Sequence, residues 1–131
     1  MPQLANLVLT DRAGTPVNHT FVPRDIVGNV ATVVESTGVP VGDKRVTLSL
    51  RNTGNGNYVV TLKLVFPVVN DQTINGVTTP VVVRTAYADL ELKFSATSTE
   101  QERKDMIGQL YSALDAGKWT NDVFTKLQGV Y

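Results

Sequence analysis

The amino-acid sequence predicts an α+β fold, with an N-terminal β-hairpin and an antiparallel β-sheet followed by two C-terminal α-helices. Three observations carry that reading. From Asn6 to Phe94 much of the chain alternates apolar and polar residues at the two-residue period of a strand, with many β-branched residues. Gly, Pro and Asn clusters break this stretch at short intervals, as turns between paired strands do. After Ser95 the period becomes helical, so strands come first and helices follow.

Asn6–Thr10 and His19–Pro23 read as a first hairpin around a loop punctuated by Gly14 and Pro16, with Pro23 closing the second strand. Asn29–Glu35 is the next strand, and residues 36–43 are a connector. A central hairpin runs from Arg45 to Pro67 through the turn Gly54-Asn55-Gly56. Its first strand turns Val46, Leu48 and Leu50 to one face and Arg45, Thr47, Ser49 and Arg51 to the other. On the return strand Leu62, Leu64 and Phe66 form the apolar row. Thr61 and Lys63 join the hydroxyls and arginines if the turn pairs the strands in that register.

Residues 67–80, with Asn75-Gly76 and Pro80, are expected to form a protruding loop. Val81–Phe94 is the longest strand candidate; Thr85, Tyr87, Asp89, Glu91 and Lys93 share its polar side. A helix begins near Ser98 or Thr99, each with a capping-box partner in Gln101 or Glu102. Met106, Ile107, Leu110, Tyr111 and Leu114 make its apolar stripe, and Gly117 is expected to end it. Asn121 is expected to cap a last short helix with Val123, Phe124 and Leu127 facing inward.

At 131 residues the chain suits a single domain spanning 1–131. Twelve acidic and twelve basic residues give no global field, so any polyanion site must be a local patch. The absence of cysteine excludes disulfides, thiolate metal sites and cysteine nucleophiles. No apolar run reaches a membrane span and no signal peptide is present, which points to a cytosolic protein or a particle assembled in the cytosol. The helical stripe is too small to cover the apolar sheet rows. A symmetric dimer would cover them with its partner's helices and would pair the edge strands.

The usual catalytic sets are missing. His19 is the only histidine and reads as a strand-surface residue; it has no nucleophile near it in sequence. Asp89 and Glu91 beside Tyr87 and Lys93 read as a solvated row, and Gly54-Asn55-Gly56 as a turn rather than a phosphate loop. No enzyme, metal or cofactor is implied. The hydroxyl-and-cation platform is either a solvated sheet face or a binding face. In the second case Arg45, Arg51 and Lys63 would neutralise phosphates, and Thr47, Ser49 and Thr61 would meet base edges. Tyr87 would stack an unpaired base.

The ordered set Leu7–Asp11, Lys44–Arg51, Thr61-Leu62-Lys63 before Pro67, Asn75-Gly76-Val77 with Pro80, Arg84–Asp89 and Gly129-Val130-Tyr131 resembles the coat proteins of the small single-stranded RNA bacteriophages, the leviviruses. The resemblance spans nearly the whole chain. It implies an intertwined dimer with a continuous sheet and interlocked helices, and assembly of such dimers into a T=3 icosahedral shell around the genome. It also implies repression of translation through an RNA stem-loop at the replicase start. By the same resemblance Val30, Thr47, Ser49, Thr61 and Lys63 form a pocket for unpaired adenines. Tyr87 then stacks a loop base, Arg45 and Arg51 face the RNA, and Asn57 lies near the hairpin turn. Asp89 stands where relatives carry asparagine or aspartate, and an acceptor-only carboxylate there bears on the preferred loop base. Implied partners are the genomic RNA, further copies of the chain, other virion proteins such as a maturation protein, and no membrane. The implied setting is a virion assembled in a bacterial cytoplasm. The alternative is a cellular dimeric RNA-binding regulator with no capsid role.

Overall fold

The computed structural model describes residues 2–131. Among them are six strands: β1 (Leu7–Thr10), β2 (Asn18–Val27), β3 (Val30–Glu35), β4 (Lys44–Asn52), β5 (Asn57–Ile74) and β6 (Val77–Ser95). They form one sheet in the order β1-β2-β3-β4-β5-β6, so each strand pairs with its neighbour in sequence. Two helices follow, α1 (Glu100–Ala113) and α2 (Thr120–Lys126). The chain divides into a sheet unit ending at Lys93 and a helical unit beginning at Phe94.

In the sheet unit the turn Thr53–Gly56 decides the register. Gly56 adopts φ 77°, a conformation open to glycine at no steric cost, and its N–H donates to the Thr53 carbonyl at 3.1 Å. That closure sets Leu48 opposite Leu62 and Val46 opposite Leu64 on one face. The N-terminal segment packs against this face. Phe21, Val33 and Val46 are buried together, with Leu4, Leu9, Leu62, Leu64 and Phe66 around them, and the Phe21 and Phe66 rings stack with centroids 6.1 Å apart. The cover is partial: Ile26, Leu48 and Leu50 remain 62%, 49% and 57% exposed.

A polar clasp binds the first hairpin to the sheet. His19 on β2 places Nε2 2.7 Å from Asp11 Oδ2 and Nδ1 2.8 Å from Glu35 Oε2 on β3. Lys44 Nζ lies 3.9 Å from Glu35 and 5.6 Å from the Phe66 ring centroid. Asp11 also accepts from the N–H groups of Val17 and Ala13, closing the β1–β2 loop. These bonds hold its carboxyl down from 3.8 to about 2, with the Val17 N–H as the main cause and His19 next. The two carboxylates raise His19 above 6.5, Asp11 more than Glu35. His19 is therefore a half-buried bridge between strands, where the sequence suggested a surface residue.

Other expectations also change. Pro23 does not close β2, because a bulge around Arg24 carries the strand on to Val27. Residues 67–80 are not a loop. β5 and β6 continue through them to a two-residue turn at Asn75-Gly76, whose φ values of 53° and 77° match the twist-compatible primed hairpin turn. Thr73 and Thr78 hydroxyls meet at 3.1 Å across it. Pro67 is tolerated because it lies beyond the Arg45–Val65 pair, where a missing N–H costs the β4 ladder nothing.

In the helical unit the Thr99/Glu102 capping box forms: Glu102 N–H donates to Thr99 Oγ1 at 3.2 Å, and Thr99 N–H to Glu102 Oε2 at 3.4 Å. The helix α1 stops at Ala113, before Gly117, and α2 starts after Trp119 with Asn121 inside it rather than capping it. Thr120 Oγ1 donates to the Ala113 carbonyl at 2.6 Å, joining the two helix ends. Neither helix has a buried residue; Ile107, Tyr111, Phe124 and Leu127 are 45%, 80%, 55% and 87% exposed. The residues expected to face inward are therefore exposed.

Candidate nucleic-acid interface

The register that closes the apolar rows also decides what stands on the other face. Ser49 lies opposite Thr61 on one side and Val30 on the other, so Val30, Ser49 and Thr61 form a cross-strand row over β3, β4 and β5. The adjacent row is Thr32, Thr47 and Lys63. Beyond it come Val34, Arg45 and Val65, and at the other end Arg51 faces Val59. Directly opposed side chains in such ladders sit about 4.5–5.5 Å apart, and successive rows follow at about 7 Å along the strands. The hydroxyls and the Lys63 ammonium are thus immediate neighbours.

Exposure grades across the block. Lys63, Arg45, Arg51 and Asn57 are exposed, Val30 is 37% exposed, and Thr47, Ser49 and Thr61 are half-buried between them. A half-buried hydroxyl keeps one donor and two acceptor lone pairs, which suits it to meet a polar ligand atom. Among the described residues, Arg45, Arg51 and Lys63 make no ion pair, so their charge is available to an anion. Val59, between Arg51 and the next strand, is buried at 3%.

The other expected residues lie around this block. Arg45, Val65, Thr85 and Tyr87 line one recess, so the Tyr87 ring shares the face of the hydroxyl rows and is 72% exposed. Asp89 follows two residues along β6, on the same side by strand alternation, and is exposed. Glu91 is engaged by Lys93 at 3.5 Å, a solvated pair. Asn57 lies at the turn end of β5, where its carbonyl accepts from the Thr53 N–H at 2.8 Å. Along the β4–β5 ladder it lies past the Arg51–Val59 pair, at the opposite end from Arg45.

Two residues joined to this face were not picked out from the sequence. Thr32, 6% exposed, extends the Thr47–Lys63 row; its place in an alternating β-branched strand was the available signal. Arg24 also lines the recess with Arg45 and Tyr87, and only the bulge in β2 marks it.

Among the described residues, half-buried hydroxyl rows, cations outside any ion pair and an exposed aromatic ring thus share one face of the sheet, while Leu48 and Leu50 leave apolar surface bare on the other. The chain matches the levivirus coat protein family over residues 2–131 and belongs to it, a family of structural capsid proteins and not of enzymes. It is 56% identical over 130 residues to the capsid protein of Pseudomonas phage PRR1, a match covering 98% of this chain and 99% of that one. Among solved structures, a virus-like particle of bacteriophage ESE058 aligns with a TM-score of 0.88 at 25% identity, covering 99% of this chain and 100% of that one. An unassembled bacteriophage coat protein dimer, described as RNA-binding, aligns at 0.68 with 26% identity over 98% of each chain.

Proposed function

We propose that this coat protein works as one domain that dimerises and assembles into a T=3 shell around a single-stranded RNA genome. In the same reading, the dimer binds an RNA stem-loop at the replicase start and represses translation. The observation that carries the RNA role is the register that sets Thr47, Ser49, Thr61 and Lys63 side by side, with Val30 next to Ser49. Dimerisation rests on β6, a nineteen-residue edge strand whose free backbone groups invite pairing with its own copy, and on the bare helix stripe. The virus-like particle and the dimer among the similar structures support both halves. Assembly takes place in the cytoplasm of a bacterial host, with a maturation protein as a further virion partner.

Gel filtration and negative-stain imaging of the purified protein test the shell: particles are expected, and a stable monomer or a dimer that never assembles would refute it. Lys63→Ala and Thr47→Ala are expected to weaken stem-loop binding by about 1–3 kcal/mol each while particles still form. Unchanged affinity in a filter-binding titration would remove these residues from the site.

A further inference from the structure

On the hydroxyl-and-cation face, apart from the Val30–Ser49–Thr61 and Thr32–Thr47–Lys63 rows, the sheet unit has a recess of about 440 Å³. Its polar lining is Arg24, Arg45, Thr85, Tyr87 and Asp43, and apolar residues including Val65 complete it. The volume lies within the range of small-ligand sites. We infer that Arg24 is a further RNA contact, and that the recess it forms with Arg45 and Tyr87 seats one nucleotide of the bound stem-loop, phosphate between the guanidiniums and base against the ring. The inference rests on the RNA-binding reading above.

Arg24 is placed by a backbone device. Pro23 pairs with Val33 and Asp25 with Thr32, leaving Arg24 as the extra residue of a β-bulge, opposite no partner. Bulges commonly re-aim a side chain beside a binding site, and here the unpaired residue is a long cation over the recess. Among the described residues its ion-pair partner is the neighbouring Asp25, Nε to Oδ2 at 3.5 Å, with both side chains about half exposed. Such a solvated pair is worth little and yields readily to a phosphate. Arg45 stands between Val34 and Val65 in the ladder, with no carboxylate opposite it.

Asp43 is the one carboxylate in the lining. Two guanidiniums against it leave one net positive charge, and its Oδ1 already accepts the Thr37 N–H at 3.4 Å. A phosphate is thereby steered to the Arg24–Arg45 side. The base is left to the exposed Tyr87 ring, where stacking is indifferent to base identity. Arg24 should accordingly add affinity without adding sequence preference, the signature of a backbone contact.

The test uses assembly-competent full-length protein and two labelled RNA stem-loops, one with unpaired adenines in stem and loop and one with those adenines replaced by uridines. Wild type, Arg24→Ala, Arg24→Lys and Lys63→Ala are titrated across a salt series. Arg24→Ala is expected to weaken both RNAs equally, by about three- to tenfold at low salt, and to lower the slope of log K against log salt by about one. Arg24→Lys restores the slope. Lys63→Ala, in contrast, should narrow the preference for the adenine-bearing RNA. Wild-type affinity and slope in Arg24→Ala, alongside a weakened Lys63→Ala, would overturn the role of Arg24 alone. Absence of stem-loop binding by the wild type would overturn the RNA reading and this inference together. Particle formation by each variant shows that a loss is not misfolding.

Discussion

A histidine held between two carboxylates titrates unlike a free one. As imidazolium His19 donates from both ring nitrogens, to Asp11 and to Glu35; as neutral imidazole it can donate from only one. Its folded pKa is raised above 6.5, so its contribution is fully present below that value and is lost as pH rises through the higher folded value. Asp11 works in the opposite sense: its contribution is present above 3.8 and lost as pH falls through about 2. The clasp is strongest between these limits. The thermal midpoint of the wild type is expected to fall as pH is raised above the histidine range, and His19→Asn should flatten that fall; parallel curves for the two proteins would count against the clasp. None of this was legible in the sequence, because Asp11 and Glu35 lie 8 and 16 residues from His19 and meet it only through strand pairing.

Elements were more legible than their ends. The two-residue alternation of β4 and β5 is a local property, so the shared face of Thr47, Ser49, Thr61 and Lys63 followed once the turn paired the strands as expected. Element ends depend on competing local bonds. Proline suggested breaks at Pro23 and Pro67, but a bulge in one case and a position past the last β4 pair in the other let the strands continue. Gly117 looked like a helix stop, yet α1 ends at Ala113, where the Leu114 N–H is shared between the Leu110 and Tyr111 carbonyls at 3.2 and 3.3 Å, the tightened last turn of a helix end. Asp115 then bonds the Gly117 N–H at 3.0 Å. The N-terminal signal was stronger because both capping bonds lie within four residues. Thr99→Ala is expected to destabilise the disassembled protein by about 1 kcal/mol, read as a lowered urea midpoint with unchanged slope. Thr99→Ser should leave the midpoint nearly as it was.

At the level of the whole molecule, a single chain leaves more apolar surface bare than a free monomer ordinarily tolerates: Leu48 and Leu50 on the sheet, Met106, Ile107 and Tyr111 on α1. Ile107→Asp, at a residue already 45% exposed, should cost the isolated fold little while placing an unpaired charge in the proposed subunit contact. Light scattering is expected to show loss of particles and of the dimer; normal particles from this variant would place the contact elsewhere. The strand order carries one more consequence, for synthesis rather than for binding. Each strand pairs with the one made just before it, so every loop closure in the sheet is short. The three strands bearing Val30, Thr47, Ser49, Thr61 and Lys63 need no later segment for their register. As the chain leaves the ribosome, the ladder of the proposed RNA site can close while the helices that would bind a second copy are still untranslated, so the order of residues along the chain also sets an order of events.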